Sequence, residues 1–195
     1  MKIPFRNIKL FTQIIILSII CFLSLGGCSK YSDEVQANLT KLKETKSCSG
    51  CDLRGIELIS FDLKGADLSG ANLTGANLKR SDLTGANLTD TNLTDADLLG
   101  VNLTGATLTN TNLTGVKLSY SNINEADISG ASLKDARMNS SKIVNSKIRN
   151  SDMTDANLYN ADLTSTKVSE ETLKDAVLCK TIMPSGQQDD SGCKR

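Results

Sequence analysis

Hydrophobic residues recur along this chain with a period of five. From Leu53 an aliphatic residue or Met stands at every fifth position, without an insertion, as far as Met183. The series runs Leu53, Leu58, Leu63, Leu68, Leu73 and Leu78 through Leu118, then Ile123, Ile128, Leu133, Met138, Ile143, Ile148, Met153, Leu158, Leu163, Val168, Leu173 and Leu178. Two residues before each stands a mostly small residue, as at Ala66, Ala71, Ala76, Ser81, Ala86, Thr91 and Ala96. A helix needs apolar spacings of three and four, so a spacing of five would smear these side chains around the cylinder. Gly at 65, 70, 75, 85, 100, 105, 115 and 130 also disfavours helix interiors. A flat strand alternates by two, whereas the inward steps here run two and then three, and the odd step would flip a side chain outward. The backbone must therefore turn once per repeat, and Gly, Asp and Asn suit that turn. Four turns of about a right angle close a coil of about twenty residues. Coils stacked about 4.8 Å apart pair as parallel strands, with each Leu above the Leu of the coil before.

The flanks follow other rules. Residues 31–46, YSDEVQANLTKLKETK, place Val35, Leu39 and Leu42 at helical spacing. They predict a short amphipathic helix that caps the first coil, since a repeat stack needs its open ends covered. Ile56 and Phe61 fill positions held elsewhere by Ala, which suits a coil end facing that cap. Late in the chain Glu171 sits where Ala belongs, pointing inward, which is costly if buried and unpaired. The last coil is therefore expected to be frayed or open near 166–172. Pro184 and Gly186 then end the repeat.

The consensus A-[DN]-L-[TS]-[GD] over 51–183 resembles the pentapeptide-repeat family. The resemblance implies an all-β fold, a right-handed quadrilateral β-helix, here with a short N-terminal α-helical cap. The 27 repeats would make nearly seven coils, a rod roughly 30 Å long.

The N-terminus reads as an address. Lys2, Arg6 and Lys9 precede an apolar run, LFTQIIILSIICFLSL, which is the pattern of a secretory signal and short for a membrane span. The run ends in Leu25-Gly26-Gly27-Cys28, which resembles the lipobox of bacterial lipoproteins. That resemblance implies cleavage before Cys28, acylation of its thiol with chains such as palmitate, and usually acylation of the new N-terminus. Two or more chains anchor stably where one is marginal. Ser29 after the Cys implies, by enterobacterial sorting, release to the outer membrane. The expected organisation is then a signal peptide over 1–27 and a lipidated linker with the cap helix over 28–47. The repeat solenoid follows over 48–183, with a tail over 184–195.

Of six Cys residues, Cys21 leaves with the signal and Cys28 carries lipid. Cys48, Cys51, Cys179 and Cys193 remain, and four Cys allow three pairings. The expected rod separates the first two from the last two by several coils, which leaves Cys48–Cys51 and Cys179–Cys193 within reach. The tail from Cys179 to Cys193 resembles a closing loop of related envelope and lumenal pentapeptide proteins. Cys48-Ser49-Gly50-Cys51 also matches a redox C-x-x-C, without the βαβ pattern that accompanies one.

Charge narrows the function. The chain has 22 basic and 22 acidic residues, no His and no Trp. The mature part, 28–195, would carry 19 basic against 22 acidic residues. Without His the usual general base and imidazole metal ligands are missing. An insertion-free solenoid offers no long loops for a catalytic site, so neither an enzyme nor a cofactor is expected. Some pentapeptide-repeat proteins mimic DNA and bind type II topoisomerases. That class needs a strongly acidic face and a cytoplasmic address, so neither that role nor nucleic-acid binding is expected.

Sorting outward residues by number modulo twenty sets one face apart. It carries Lys79, Arg80, Lys117, Arg137 and Lys180 against Glu57 and Asp97, with Tyr120, Tyr159 and Leu99. Around the rod Lys134, Arg137, Lys142, Lys147 and Arg149 fall within about one coil, opposed by Asp135. Lys79, Arg80, Lys117, Tyr120, Arg137 and Tyr159 are the candidate interaction face, for an acidic envelope protein or polymer. The same lysines would also serve as a solvated surface that blocks edge pairing. The expectation is a lipid-anchored envelope protein with a binding or structural role, facing the periplasm from the outer membrane. Exposed coil ends would allow a homodimer. A cytoplasmic topoisomerase-binding DNA mimic and a periplasmic redox protein with a reactive Cys48 are the alternatives.

Overall fold

The structure is a computed structural model that describes residues 30–193. The segment predicted as a signal and Cys28 lie outside the described residues. Residues from Asp33 onward form one compact unit of the chain, set off from Met1–Ser32. That unit holds every element below.

Parallel bridges join residues twenty apart along this unit. Four ladders begin at Ser47 with Asp67, Asp52 with Asn72, Glu57 with Asn77 and Asp62 with Asp82, and the last bridge joins Asp162 to Ile182. One coil therefore takes four repeats, and each repeat supplies one rung to one of four sides. The sides are named here by their first rungs.

The repeat 72–76 shows why the consensus reads as it does. Asn72 N donates to Cys51 O of the previous coil at 2.9 Å, and Leu73 N to Asn92 O of the next at 2.7 Å. Gly75 N donates to Thr94 O and Ala76 N to Leu73 O, both at 2.9 Å. Thr74 N, which faces no carbonyl, donates to Asn72 Oδ1 at 3.2 Å, and the Thr74 hydroxyl joins it at 2.7 Å. All five N–H groups are satisfied within five residues, which buried or half-buried backbone requires. Asn or Asp is needed as the acceptor and Thr or Ser reinforces it. Gly75 takes φ 64°, a left-handed corner that costs Gly nothing. Leu73 and Ala76 are fully buried and fill the axis.

Where Ser or Thr replaces the small Ala, its hydroxyl is buried but partnered. Ser81 and Ser141 donate to Leu78 O and Met138 O in their own corners, both at 2.7 Å. Thr91 and Thr111 reach into the previous coil, to Leu68 O at 2.8 Å and Leu88 O at 2.7 Å. Among the described residues no buried side-chain nitrogen or oxygen lacks a partner.

Helix α1, Asp33–Thr45, buries Val35, Leu39 and Leu42. Its Asn38 side chain donates to Asp52 O at 3.1 Å, satisfying a carbonyl on the first coil. Cys48 and Cys51 stand at the Leu and Ala positions of the first repeat, both buried, and are joined as a disulfide. A thiol pair here replaces core hydrocarbon and locks the coil beneath the helix.

The opening expected near 166–172 begins only at Ser169. Residues 166–168 are not frayed: β1, Lys147–Ile148, pairs in parallel with β2, Lys167–Val168. The chain then turns into α2, Glu170–Leu173, capped by Ser169, whose side chain accepts from Thr172 N. Glu171 does not point inward. The short helix turns it to water, where it pairs with Lys174. A hydroxyl cap and one helical turn avoid burying a carboxylate, and Leu173 still reaches the core. The coil resumes at the Asn157–Val177 bridge. Strand β3, Thr181–Ile182, pairs antiparallel with β4, Gln188–Asp189. A disulfide joins Cys179 to Cys193, and Gly192 N donates to Leu178 O at 2.6 Å, folding the tail back on the last coil.

Candidate interaction face

Position in the repeat decides what each side presents. The residue after each core residue points outward. On the Ser47 side that column includes Ser49, Ser69, Thr89, Thr109 and Ser129. On the Asp52 side it includes Thr74, Thr94, Thr114 and Thr154, and on the Asp62 side Thr84, Thr104 and Thr164. On the Glu57 side it reads Ile59, Lys79, Leu99, Ser119, Asn139 and Tyr159. Basic residues enter this column on the other sides too, at Arg54, Lys64, Lys134, Arg149 and Lys174, so the Glu57 column is set apart by its apolar members Ile59, Leu99 and Tyr159.

The corners differ in the same way. Three sides fill their left-handed corners with Gly, Asp, Asn or Ser, with Glu125 as one exception. The Glu57 side holds Arg80 at φ 56°, Tyr120 at φ 58° and Lys180 at φ 54°. A side chain with Cβ in this region costs about 1–2 kcal/mol relative to ordinary backbone, and less for Asn or Asp, whose short polar side chains bond locally. Local strain of this kind persists where the surrounding fold imposes it and is concentrated at functional sites.

Exposure points to the same side. The large apolar side chains exposed among the described residues are Ile59 (53%), Leu99 (36%), Tyr120 (71%), Tyr159 (40%) and Val177 (39%). All five lie on the Glu57 side, spread from the first coil to the last. The sequence reading found Leu99, Tyr120 and Tyr159 but missed Ile59 and Val177. Sorting the outward columns for apolar residues as well as for charge would have found both.

The basic residues are less free than the sequence implied. Lys79 Nζ lies 3.0 Å from Asp97 Oδ2, and Lys117 Nζ lies 3.7 Å from the same oxygen. One half-buried carboxylate thus holds a lysine from the coil on either side. Arg80 and Arg137 form no salt bridge among the described residues. Lys180 Nζ stands 5.7 Å from the ring centre of Tyr159, a cation–π distance. Tyr120 borders a shallow cavity of about 260 Å³ with Ser140 and Lys142. The wider basic cluster is also better opposed than expected. Asp127 pairs with Lys147 at 3.1 Å, so Asp135 is not the sole counter-charge. The Asp152 carboxyl is held below the usual range by hydrogen bonds from the Thr154 hydroxyl and backbone, with the charge of Lys134 adding.

Among the described residues no group of His, Cys, Asp or Glu is placed to hold a metal ion. What the geometry assembles is a side of stacked parallel rungs, ridged with apolar and aromatic side chains and edged by two unpaired arginines. Repeats of this kind also define the class. The pentapeptide-repeat family matches in 8 copies, over residues 47–90, 81–119, 96–135 and 118–155, together more than half of the chain. The chain belongs to the pentapeptide-repeat family.

Similar solved structures include HetL of Nostoc sp. strain PCC 7120, described as involved in heterocyst differentiation regulation. It is 19% identical, with a TM-score of 0.35, over 82% of this chain and 100% of that one. A trypsin-treated form of QnrB1, a plasmid-mediated fluoroquinolone resistance protein, is 16% identical. It covers 75% of this chain and 82% of its own, with a TM-score of 0.40. The pentapeptide-repeat protein alr5209 of Nostoc PCC 7120 is 28% identical, over 56% and 79% respectively, with a TM-score of 0.38. No curated protein matches the sequence.

Proposed function

We propose that this protein is a non-enzymatic interaction rod, held by lipid at Cys28 in the bacterial cell envelope, whose Glu57 side docks an acidic protein. The observation that carries the docking is the gathering of every exposed large apolar side chain, among the described residues, onto the one side whose corners are strained by Arg80, Tyr120 and Lys180. Aromatic and arginine anchors among apolar contacts are the usual energetic centre of protein interfaces. The unpaired Arg80 and Arg137 select a partner bearing carboxylates. Family membership supports a right-handed quadrilateral winding of the coils.

The address rests on the sequence. A basic n-region, an apolar run and Leu25-Gly26-Gly27-Cys28 describe a lipoprotein signal, and Ser29 suits the outer membrane, with the rod facing the periplasm. The pairs Cys48–Cys51 and Cys179–Cys193 fit an oxidising compartment.

The test fractionates cells expressing wild type or Cys28→Ala, with a photo-crosslinking amino acid at Tyr120 or Tyr159. The proposal expects wild type in the membrane fraction with acyl mass on Cys28, the variant released, and one acidic protein crosslinked from both positions. A cytosolic, unprocessed and reduced protein would sink the envelope reading and make topoisomerase binding the next hypothesis. Membrane location without a crosslink that is lost in Arg80→Gln/Arg137→Gln would sink the docking side alone.

A further inference from the structure

A second surface stands apart from the Glu57 side, where the solenoid loses its regularity. Gly130 N still donates to Arg149 O at 2.8 Å, in the usual register. One coil on, the chain leaves the ladder at Ser169 to enter α2. The parting of the two coils leaves a cleft of about 330 Å³ lined by Arg149, Asn150, Lys167, Val168 and Ser169.

The charges in this cleft do not balance. Lys147 and Lys167 are direct partners in the parallel β1–β2 pair. Like charges opposite one another destabilise a pair. Asp127 answers Lys147 at 3.1 Å. Arg149 and Lys167 are exposed and form no salt bridge among the described residues. Ser169 is occupied as the cap of Thr172 N, so it closes the rim without serving a ligand. Val168 stands at a core position of the repeat but is here partly open and gives the cleft an apolar floor. Glu170, next to Ser169, is the nearest acidic residue along the chain and is exposed.

The geometry points to an oxyanion site: Arg149 and Lys167 bind a phosphate-class anion in the cleft between the last two coils. A planar guanidinium and an ammonium on neighbouring rungs suit a tetrahedral anion, the fork giving direction and the lysine a point charge. The anion would also relieve the repulsion between Lys147 and Lys167. Either inorganic phosphate or the headgroup of an anionic phospholipid presents this chemistry.

The full chain in nonionic detergent is titrated calorimetrically with inorganic phosphate and, separately, with the same micelles doped with phosphatidylglycerol. Arg149→Gln and Lys167→Gln are each expected to weaken binding about tenfold, as loss of one charge-assisted contact does. Glu170→Gln is expected to tighten it, and Lys41→Gln, exposed on α1, to leave it unchanged. Thermal melts confirm that each variant is folded. Binding of phosphate alone identifies a free anion, and stronger binding of doped micelles identifies the headgroup. No binding in either arm, or binding unaffected by the Arg149→Gln/Lys167→Gln double variant, overturns the site.

Discussion

The Asp52 and Glu57 sides of the solenoid share a core and a backbone but obey different rules outside it. On the Asp52 side Asn72, Asn92 and Asn112 stack on successive rungs, each accepting the N–H of the Thr two residues on, at 3.2, 3.0 and 3.1 Å. Gly or Asp fills its corners. That side does what the consensus asks and little more. The Glu57 side keeps the rungs and the acceptors, as Asp97 does for Leu99 N at 3.3 Å. It gives up the hydroxyl column and the relaxed corners. The difference teaches where the fold stops dictating the sequence: backbone satisfaction fixes the acceptor position and the core, and leaves the outward column and the corner side chain to other demands.

Core truncation should be blind to the comparison and have the largest effect. Leu93→Ala on one side and Leu98→Ala on the other remove equally buried side chains, so each should cost about 2–5 kcal/mol in urea unfolding. A marked inequality would mean that the sides do not share one core.

Exchanging corners should separate the sides. Gly115→Tyr adds a Cβ against the Asp95 carboxylate, which can swing aside, so the left-handed backbone at φ 67° sets the cost and stability should fall by about 1–2 kcal/mol. Tyr120→Gly should raise stability by about 1 kcal/mol in the same unfolding assay while abolishing partner crosslinking. A Tyr120→Gly protein that is less stable would show that the tyrosine is held for packing.

Removing the acceptor comes next. Asn92→Ala leaves Thr94 N and its hydroxyl without their bonds of 3.0 and 2.7 Å and should cost about 1–2 kcal/mol, read by the shift in melting temperature.

Acid should produce the smallest change. The Asp67 carboxyl is held low by the hydroxyl and backbone N–H of Ser69, and Asp152 by those of Thr154. Both folded-state values lie below the ordinary 3.8, so their stabilisation is present above that pH and is lost as pH falls through the lowered values. Melting temperature should hold from pH 7 to about 4 and decline below it. Asp67→Asn, which keeps the acceptor oxygen, should flatten that decline. An unchanged acid slope in Asp67→Asn would remove the carboxyl from the account.

Much of this was legible in the sequence because the repeat makes local and global demands coincide. The period of five gave the corner, four corners gave the coil, and Leu53 to Leu163 gave the axis. Val35, Leu39 and Leu42 gave the cap. The end of the chain was less legible. Glu171 reads as a buried misfit until Ser169 is seen as a helix cap, and a single helical turn leaves little periodicity to detect. The candidate face was half legible. Its basic residues stand out by position modulo twenty, but the sharing of Asp97 by Lys79 and Lys117 depends on side-chain reach between coils. The strain at Tyr120 follows from a corner geometry that the consensus Gly only hints at.

The twenty-residue coil has a genetic consequence. Deleting or duplicating one repeat between Leu99 and Tyr120 would keep every Leu on the axis and every corner in place, so the solenoid would still close. It would also rotate all later residues by one side, splitting the apolar ridge so that Tyr120, Tyr159 and Val177 no longer lie in line with Ile59 and Leu99. Only changes of four repeats would lengthen or shorten the protein and leave that ridge continuous. Folding here tolerates a five-residue step, whereas the ridge tolerates only a step of twenty, and length variants of the gene would reveal which of the two selection has counted in.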